Sequence, residues 1–196
     1  GKVRDVYTLK NNTLVMVGVL TDAGEEHIIT FDHAGAEATP NGHQIVQDLL
    51  DKAGAVICHN SAYDLMWLWE SGFKYDGPVF DTMLAEYVLQ RGIKEPLSLE
   101  ACAERYELDT KKQDTLKEYF KKGYSTRDIP LDELTEYLSA DLHATQQLAD
   151  KLWYRLNTPA DSGLLSTVRL TNRVAKCLSK IYQTGFAVDL TKLEEV

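Results

Sequence analysis

A short apolar run, Ala55-Val56-Ile57-Cys58, lies between two stretches of helical periodicity and breaks off at His59-Asn60. Ahead of it, residues 41–54 place apolar side chains at 45, 46, 49, 50 and 53 and stop on Gly54, the pattern of an amphipathic helix. Behind it, residues 61–72 predict a second helix ending at Gly72. A brief buried strand between helices demands a layered α/β architecture. Upstream, two β-branched apolar runs, 14–20 and 27–31, flank the turn residues Asp22-Ala23-Gly24 and predict a hairpin. Downstream, residues 77–80 form a brief extended piece. Helices are predicted over 81–92 with Asp81 at the start, from Ser98, from Pro130, and from near Pro159 to Gly185. The order strand, strand, helix, strand, helix, short strand, helices predicts a mixed α/β sheet with helices packed on it. The opening hairpin has no strand before it, although such a sheet wants one.

The 196 residues, 44% of them hydrophobic with 10 Tyr and 3 Trp, suffice for one packed domain and part of another. No apolar run approaches the roughly 20 residues needed to span a bilayer, so no membrane is expected as a partner. The polar opening, residues 1–12, is not a signal peptide, and a start at Gly1 rather than Met suggests a processed or excised piece. Cys58, Cys102 and Cys177 are odd in number, far apart and without C-x-x-C spacing, so they read as reduced core thiols of a cytoplasmic protein. A net charge of −9 argues against a simple electrostatic grip on nucleic acid, though not against contact through metal ions. Lys111, Lys112, Lys117, Lys121, Lys122 and Arg127 nevertheless cluster within 17 positions. A solvated face beside the acids of that segment is the plain reading, and the sequence leaves it open.

Asp64 stands in an aromatic, apolar segment where an unpaired charge is costly. It follows Asn60 by four residues, so the two share a helical face just past a strand end, where open α/β sheets place ligands. Complementing the helix dipole is the alternative role for such an acid. On the long helix from Pro130, Tyr137 and Asp141 repeat the four-residue spacing, with Asp141 between Ala140 and Leu142. An exposed acid and a core aromatic would be the unremarkable interpretation of that pair.

The ordered pair of patterns resembles a known family. "HNSAYD" (59–64) resembles the second motif of DEDD-superfamily 3′–5′ exonucleases, and "YLSAD" (137–141) the third motif in its tyrosine form. "FDTMLAEYVL" and "LSLEACAERYEL" resemble the stretch between those motifs. "LSKIYQTGFAVDLTKLEEV" (178–196) resembles the passage from exonuclease to polymerase domain in DNA polymerase I-like, family A enzymes. The hairpin is similar to phage versions. The resemblance implies a ribonuclease H-like mixed sheet flanked by helices. It implies an exonuclease domain over 1–156 and the helical start of a polymerase domain over 157–196.

The same resemblance implies a first motif, Asp-x-Glu, on a strand ahead of the hairpin. None is present: Asp5 is followed at position 7 by Tyr7. The expectation is a chain lacking its first strand, and therefore a poor nuclease by itself. For the intact protein the family implies two ions, Mg²⁺ or Mn²⁺, with Asp64 and Asp141 as ligands and Asp64, Tyr137 and Asp141 as the catalytic set. Asn60 and Tyr63 would contact the terminal nucleotide of a single-stranded DNA 3′ end, and the rest of the polymerase chain would be the partner. In the sister class a His stands four or five residues before the last Asp. Here those positions hold Tyr137 and Glu136, and His143 reads as structural. A ribonuclease D-like RNA exonuclease, a degenerate domain that only binds DNA, and a globular interaction domain are the alternatives.

Overall fold

The structure, a computed structural model, describes residues 13–108, 115–185 and 192. Asp5, Lys111, Lys112 and most of the segment after Gly185 lie outside them. The predicted hairpin is formed by β1 (Met16–Leu20) and β2 (Glu26–Thr30), antiparallel from Met16↔Thr30 to Leu20↔Glu26. Its turn closes through Gly24, whose φ of 82° is a conformation that glycine adopts without a Cβ penalty. Helix α1 (Gly42–Lys52) follows and buries Val46 and Leu50 against Ile29, Leu65, Phe73 and Tyr75.

Next come two strand–helix units. β3 (Val56–Cys58) leads into α2 (Ser61–Glu70), and β4 (Val79–Asp81) leads into α3 (Thr82–Leu89). The two strands pair in parallel, Val56↔Val79 to Cys58↔Asp81. Both helices therefore start from the same end of the same sheet. Helix α4 (Leu99–Arg105) is capped by Ser98, whose hydroxyl accepts from the Ala101 amide at 3.3 Å. Helix α5 (Thr115–Lys121) was not expected from the sequence.

The 26-residue helix α6 (Leu131–Leu156) organises the rest. Its C-terminal half packs Leu148, Leu152 and Leu156, at four-residue spacing, with Ala85, Leu89, Cys102 and Val168. Its N-terminal half lies over Gly18 of β1. A Cβ on Gly18 would fall 2.8 Å from Leu142 Cδ1 and 2.9 Å from Leu138 Cγ, so the glycine admits the helix. This contact fixes the rotation of α6. Tyr137 and Asp141 each precede one of these leucines, so they stand about 100° around the helix from that contact. Glu86 is buried and accepts from Arg105 (2.8 Å) and the Tyr106 hydroxyl (2.6 Å), which in turn accepts from Arg155 (2.6 Å). This chain of charged bonds ties α3 and α4 to α6 and compensates the burial of a carboxylate.

Helix α7 (Leu165–Thr184) begins later than the expected Pro159. Asp161 accepts from Arg91 at 2.7 Å and Thr158 Oγ1 donates to the Arg155 carbonyl at 2.8 Å, which holds the connection as a tight turn. α7 packs along α2 and also meets α3 and β4. Asn172 donates to the Val79 carbonyl at 3.0 Å. Cys58 and Cys102 are buried, as expected of core thiols, whereas Cys177 is exposed on the outer face of α7. His143 pairs with Glu26 at 3.1 Å, bridging α6 to β2.

The chain is thus a mixed α/β fold with small sheets and many helices. Among the described residues the sheet consists of two separate pairs, β1–β2 and β3–β4, and α6 packs against both β1 and β3. No described helix is long and apolar enough to cross a membrane.

Candidate active site

The parallel register places Cys58 beside Asp81 at the carboxyl ends of β3 and β4. Asp81 is fully buried, and four donors satisfy it. One oxygen accepts from the Ser61 amide at 2.7 Å and the Ser61 hydroxyl at 2.6 Å; the other accepts from the amides of Asn60 (3.3 Å) and Leu84 (3.1 Å). One carboxylate therefore caps two helices, α2 and α3, and locks their N-termini together. Free amides at a helix start and the positive end of the dipole make this the favoured place for a buried anion. Asn60 and Ser61 are themselves of the residue types that commonly cap a helix. Asn60 occupies the N-cap position in the left-handed conformation, φ 75°, and its side chain makes no cap bond. Asp81 has taken that role. His59 adds a second tie: Nδ1 lies 2.9 Å from Thr82 Oγ1 and Nε2 lies 2.8 Å from the Leu97 carbonyl.

Asp64 projects from the first turn of this anchored helix. Burial first, and then the negative charge of Asp81, push its carboxyl up to about 7, against a partial offset from the Cys58 thiol, which donates to it. The same surroundings drive the Cys58 thiol well above its ordinary range, burial first and the Asp64 and Asp81 charges after it. Asp64 is a desolvated acid held beside another acid, and perturbation of that kind concentrates at functional sites.

On α6, the Tyr137 hydroxyl donates to the Asp141 carboxylate. Burial, the Asp141 charge and this bond raise the phenol to about 12, so it stays protonated at neutral pH. Burial also raises the Asp141 carboxyl, with the Tyr137 bond opposing. The structure thus assembles two pairs, Asp64 with Cys58 above the β3–β4 end and Tyr137 with Asp141 on the helix packed along β3. Asn60 and Tyr63 are exposed at the start of α2, Tyr63 at 52% and edge-on to Trp67. Neither Asp64 nor Asp141 forms an ion pair with a described residue, and among the described residues no three His, Cys, Asp or Glu side chains cluster to hold a metal. A desolvated carboxylate without a cation partner is the donor chemistry that a hard divalent ion suits.

Asp81 is the residue that sequence reasoning read only as a helix start. Replacing it with Ala strands four buried or half-buried donors, and we expect a loss of about 3 kcal/mol in urea denaturation. Ser61→Ala, which removes one of the four bonds, should cost about 1 kcal/mol. A loss below that figure for Asp81→Ala would show that the double cap does not hold the two helices.

Residues 5–157 match the profile of the 3′–5′ exonuclease of family A DNA polymerases, and the chain belongs to that family. It is 30% identical over 156 residues to DNA polymerase I of Synechocystis sp., an alignment covering 76% of this chain. The chain spans about 15% of the length of that relative.

Proposed function

We propose that the chain removes nucleotides from the 3′ end of single-stranded DNA, as the proofreading unit of a longer DNA polymerase. The family supplies the 3′–5′ exonuclease activity. The longer polymerase chain follows from a relative named DNA polymerase I, of which this chain spans only a part. One observation carries the assignment of the site: Asp64 and Asp141 are both desolvated carboxylates with no cation partner among the described residues.

When bound, two Mg²⁺ or Mn²⁺ ions supply an activated water and neutralise the leaving 3′-oxygen. Asp64 and Asp141 would hold them as ionised ligands. Tyr137, protonated at neutral pH with its one O–H given to Asp141, would accept from the attacking water through its hydroxyl oxygen and so orient it without acting as its base. Asp81 keeps α2, and with it Asp64, fixed relative to the sheet end. Exposed Tyr63 offers a ring face to the terminal base, and Asn60 an amide to its sugar or phosphate.

Two carboxylates are few for Mg²⁺. A further strand seated between β1 and β3 would join the two pairs into one ribonuclease H-like sheet and bring the remaining acids to the site. In this reading residues 157–196 belong to the start of the polymerase body. The family match ends at 157, and α7 beyond it exposes Leu170, Val174, Leu178 and Ile181 along one outer stripe, the kind of face that a polymerase body would cover. Among the described residues no three potential ligands cluster to hold a metal, which a DNA-binding domain without catalysis would also show.

The test incubates the full-length protein with 5′-labelled single-stranded DNA, and with RNA of the same sequence, in Mg²⁺, Mn²⁺ or EDTA. The expected result is a ladder of DNA shortened from the 3′ end in either metal and none in EDTA. Bound but intact DNA would establish the non-catalytic reading, and degradation of RNA alone would establish the ribonuclease D-like one.

A further inference from the structure

The basic cluster in the sequence has a structural counterpart that the proposed hydrolysis does not use. Leu116 of α5 is buried with Ile129 and Leu134, and both Tyr119 and Tyr137 pack on this small core. The site tyrosine and α5 therefore share one hydrophobic cluster, so α5 lies next to the candidate site. Two aromatic side chains of this region are half exposed, Phe120 at 52% and Tyr124 at 47%. Tyr124 is not loose. Its ring meets Tyr119 edge-to-face at 5.5 Å, and the Tyr119 hydroxyl donates to Glu133 at 2.8 Å.

Lysines flank these rings. Lys117 is bound to Glu100 at 3.0 Å and Arg127 to Asp32 at 2.8 Å. Lys121 and Lys122 are exposed and make no ion pair with a described residue. Residues 115–127 hold four basic side chains against one acid, Glu118, in a chain of net charge −9. A solvated face accounts for the lysines but gives no reason to expose a phenylalanine and a buttressed tyrosine among them. Aromatic faces interleaved with unpaired cations are what single-stranded nucleic acid stacks on.

We infer that Phe120, Tyr124, Lys121 and Lys122 form a platform for the part of a DNA single strand upstream of its 3′ end, the rings stacking on bases and the lysines meeting phosphates. The inference rests on the exonuclease reading of the chain, and it adds a substrate-length preference to it. A strand long enough to reach α5 gains contacts that a trinucleotide held at the site does not.

The direct test is photocrosslinking of the full-length protein, in EDTA, to twelve-residue oligothymidylates carrying one 5-iododeoxyuridine at stepped positions. Labels several nucleotides from the 3′ end should crosslink to Phe120 or Tyr124. Crosslinks absent from both positions would overturn the platform. Kinetics give a second reading. Phe120→Ala with Tyr124→Ala should raise KM for the 12-mer at least about fivefold and leave the trimer unaffected, since each stacked base contributes at least that factor. Lys121→Gln with Lys122→Gln should flatten the slope of log kcat/KM against log salt by about 1.4, the value for two phosphate contacts on a single strand. Unchanged 12-mer kinetics in both variants would refute the platform and leave the exonuclease reading intact. Crosslinks at 120 and 124 in a protein that releases no nucleotide in Mg²⁺ would establish the platform and refute the exonuclease reading.

Discussion

If the chain is the proofreading unit proposed above, Asp141→Ala should lower removal of a 3′-terminal mismatch by the full-length protein at least about a thousandfold, and should leave nucleotide addition to a matched primer near its normal rate. The size would follow from the proposed role: a methyl group cannot replace a carboxylate that holds an ion, and each tenfold in rate is about 1.4 kcal/mol of barrier. Tyr137→Phe should cost less, about ten- to a hundredfold and mainly in kcat. The ring remains packed with Leu116, Ile129 and Leu134, and only the hydroxyl bonded to Asp141 is lost. In the proposed role that hydroxyl would orient a water that can still bind without it, so the expected penalty is that of positioning. Single-turnover excision of a mismatched primer, beside extension of a matched one, separates the two activities. Near-normal excision by Asp141→Ala would remove this residue from the metal site, whatever the fate of the family assignment.

What could be read in advance depended on how local each feature is. The spacings Asn60–Asp64 and Tyr137–Asp141 were legible because a four-residue interval on a helix is visible without tertiary information, and so were the hairpin around Gly24 and the glycine stops at 54, 72 and 92. The role of Asp81 was not visible. Three of its four bonds go to residues 20 or 21 positions earlier, and they exist only because β3 and β4 pair in the register Cys58↔Asp81. The shift of Asp64 was equally hidden, since Asp81 causes part of it. Helix α5 escaped notice because its lysine-rich segment buries little beyond Leu116. The late start of α7 depends on Arg91, about 70 residues from the Asp161 that it holds. At Asp81, Asp64 and the start of α7 a long-range polar contact completed or overrode the local pattern, whereas α5 lacked an apolar pattern to read.

Asp64→Asn should stabilise the metal-free protein, and only above a definite pH. Burial and the Asp81 charge raise the Asp64 carboxyl from 3.8 to about 7, with the Cys58 thiol opposing. The folded state thus keeps this proton until about pH 7, whereas the unfolded chain releases it near 3.8. Between those values the folded chain binds more protons, so stability falls as pH rises through the window and the full cost is present above it. A rise of that size corresponds to on the order of 4 kcal/mol. An asparagine carries no charge to desolvate. In EDTA at pH 8 the variant should therefore melt roughly 10 °C above the unsubstituted protein, and at pH 4 the two should melt together. Adding Mg²⁺ at pH 8 should raise the melting temperature of the unsubstituted protein and leave the variant nearly unmoved, because a bound cation stabilises the ionised carboxylate that burial disfavours. Equal melting temperatures at pH 8 in EDTA would mean that Asp64 is solvated and ordinary. The acid at the start of α2 would then complement the helix dipole and nothing more. A gap at pH 8 that Mg²⁺ closes identifies instead a site strained by its own charge until a cation arrives.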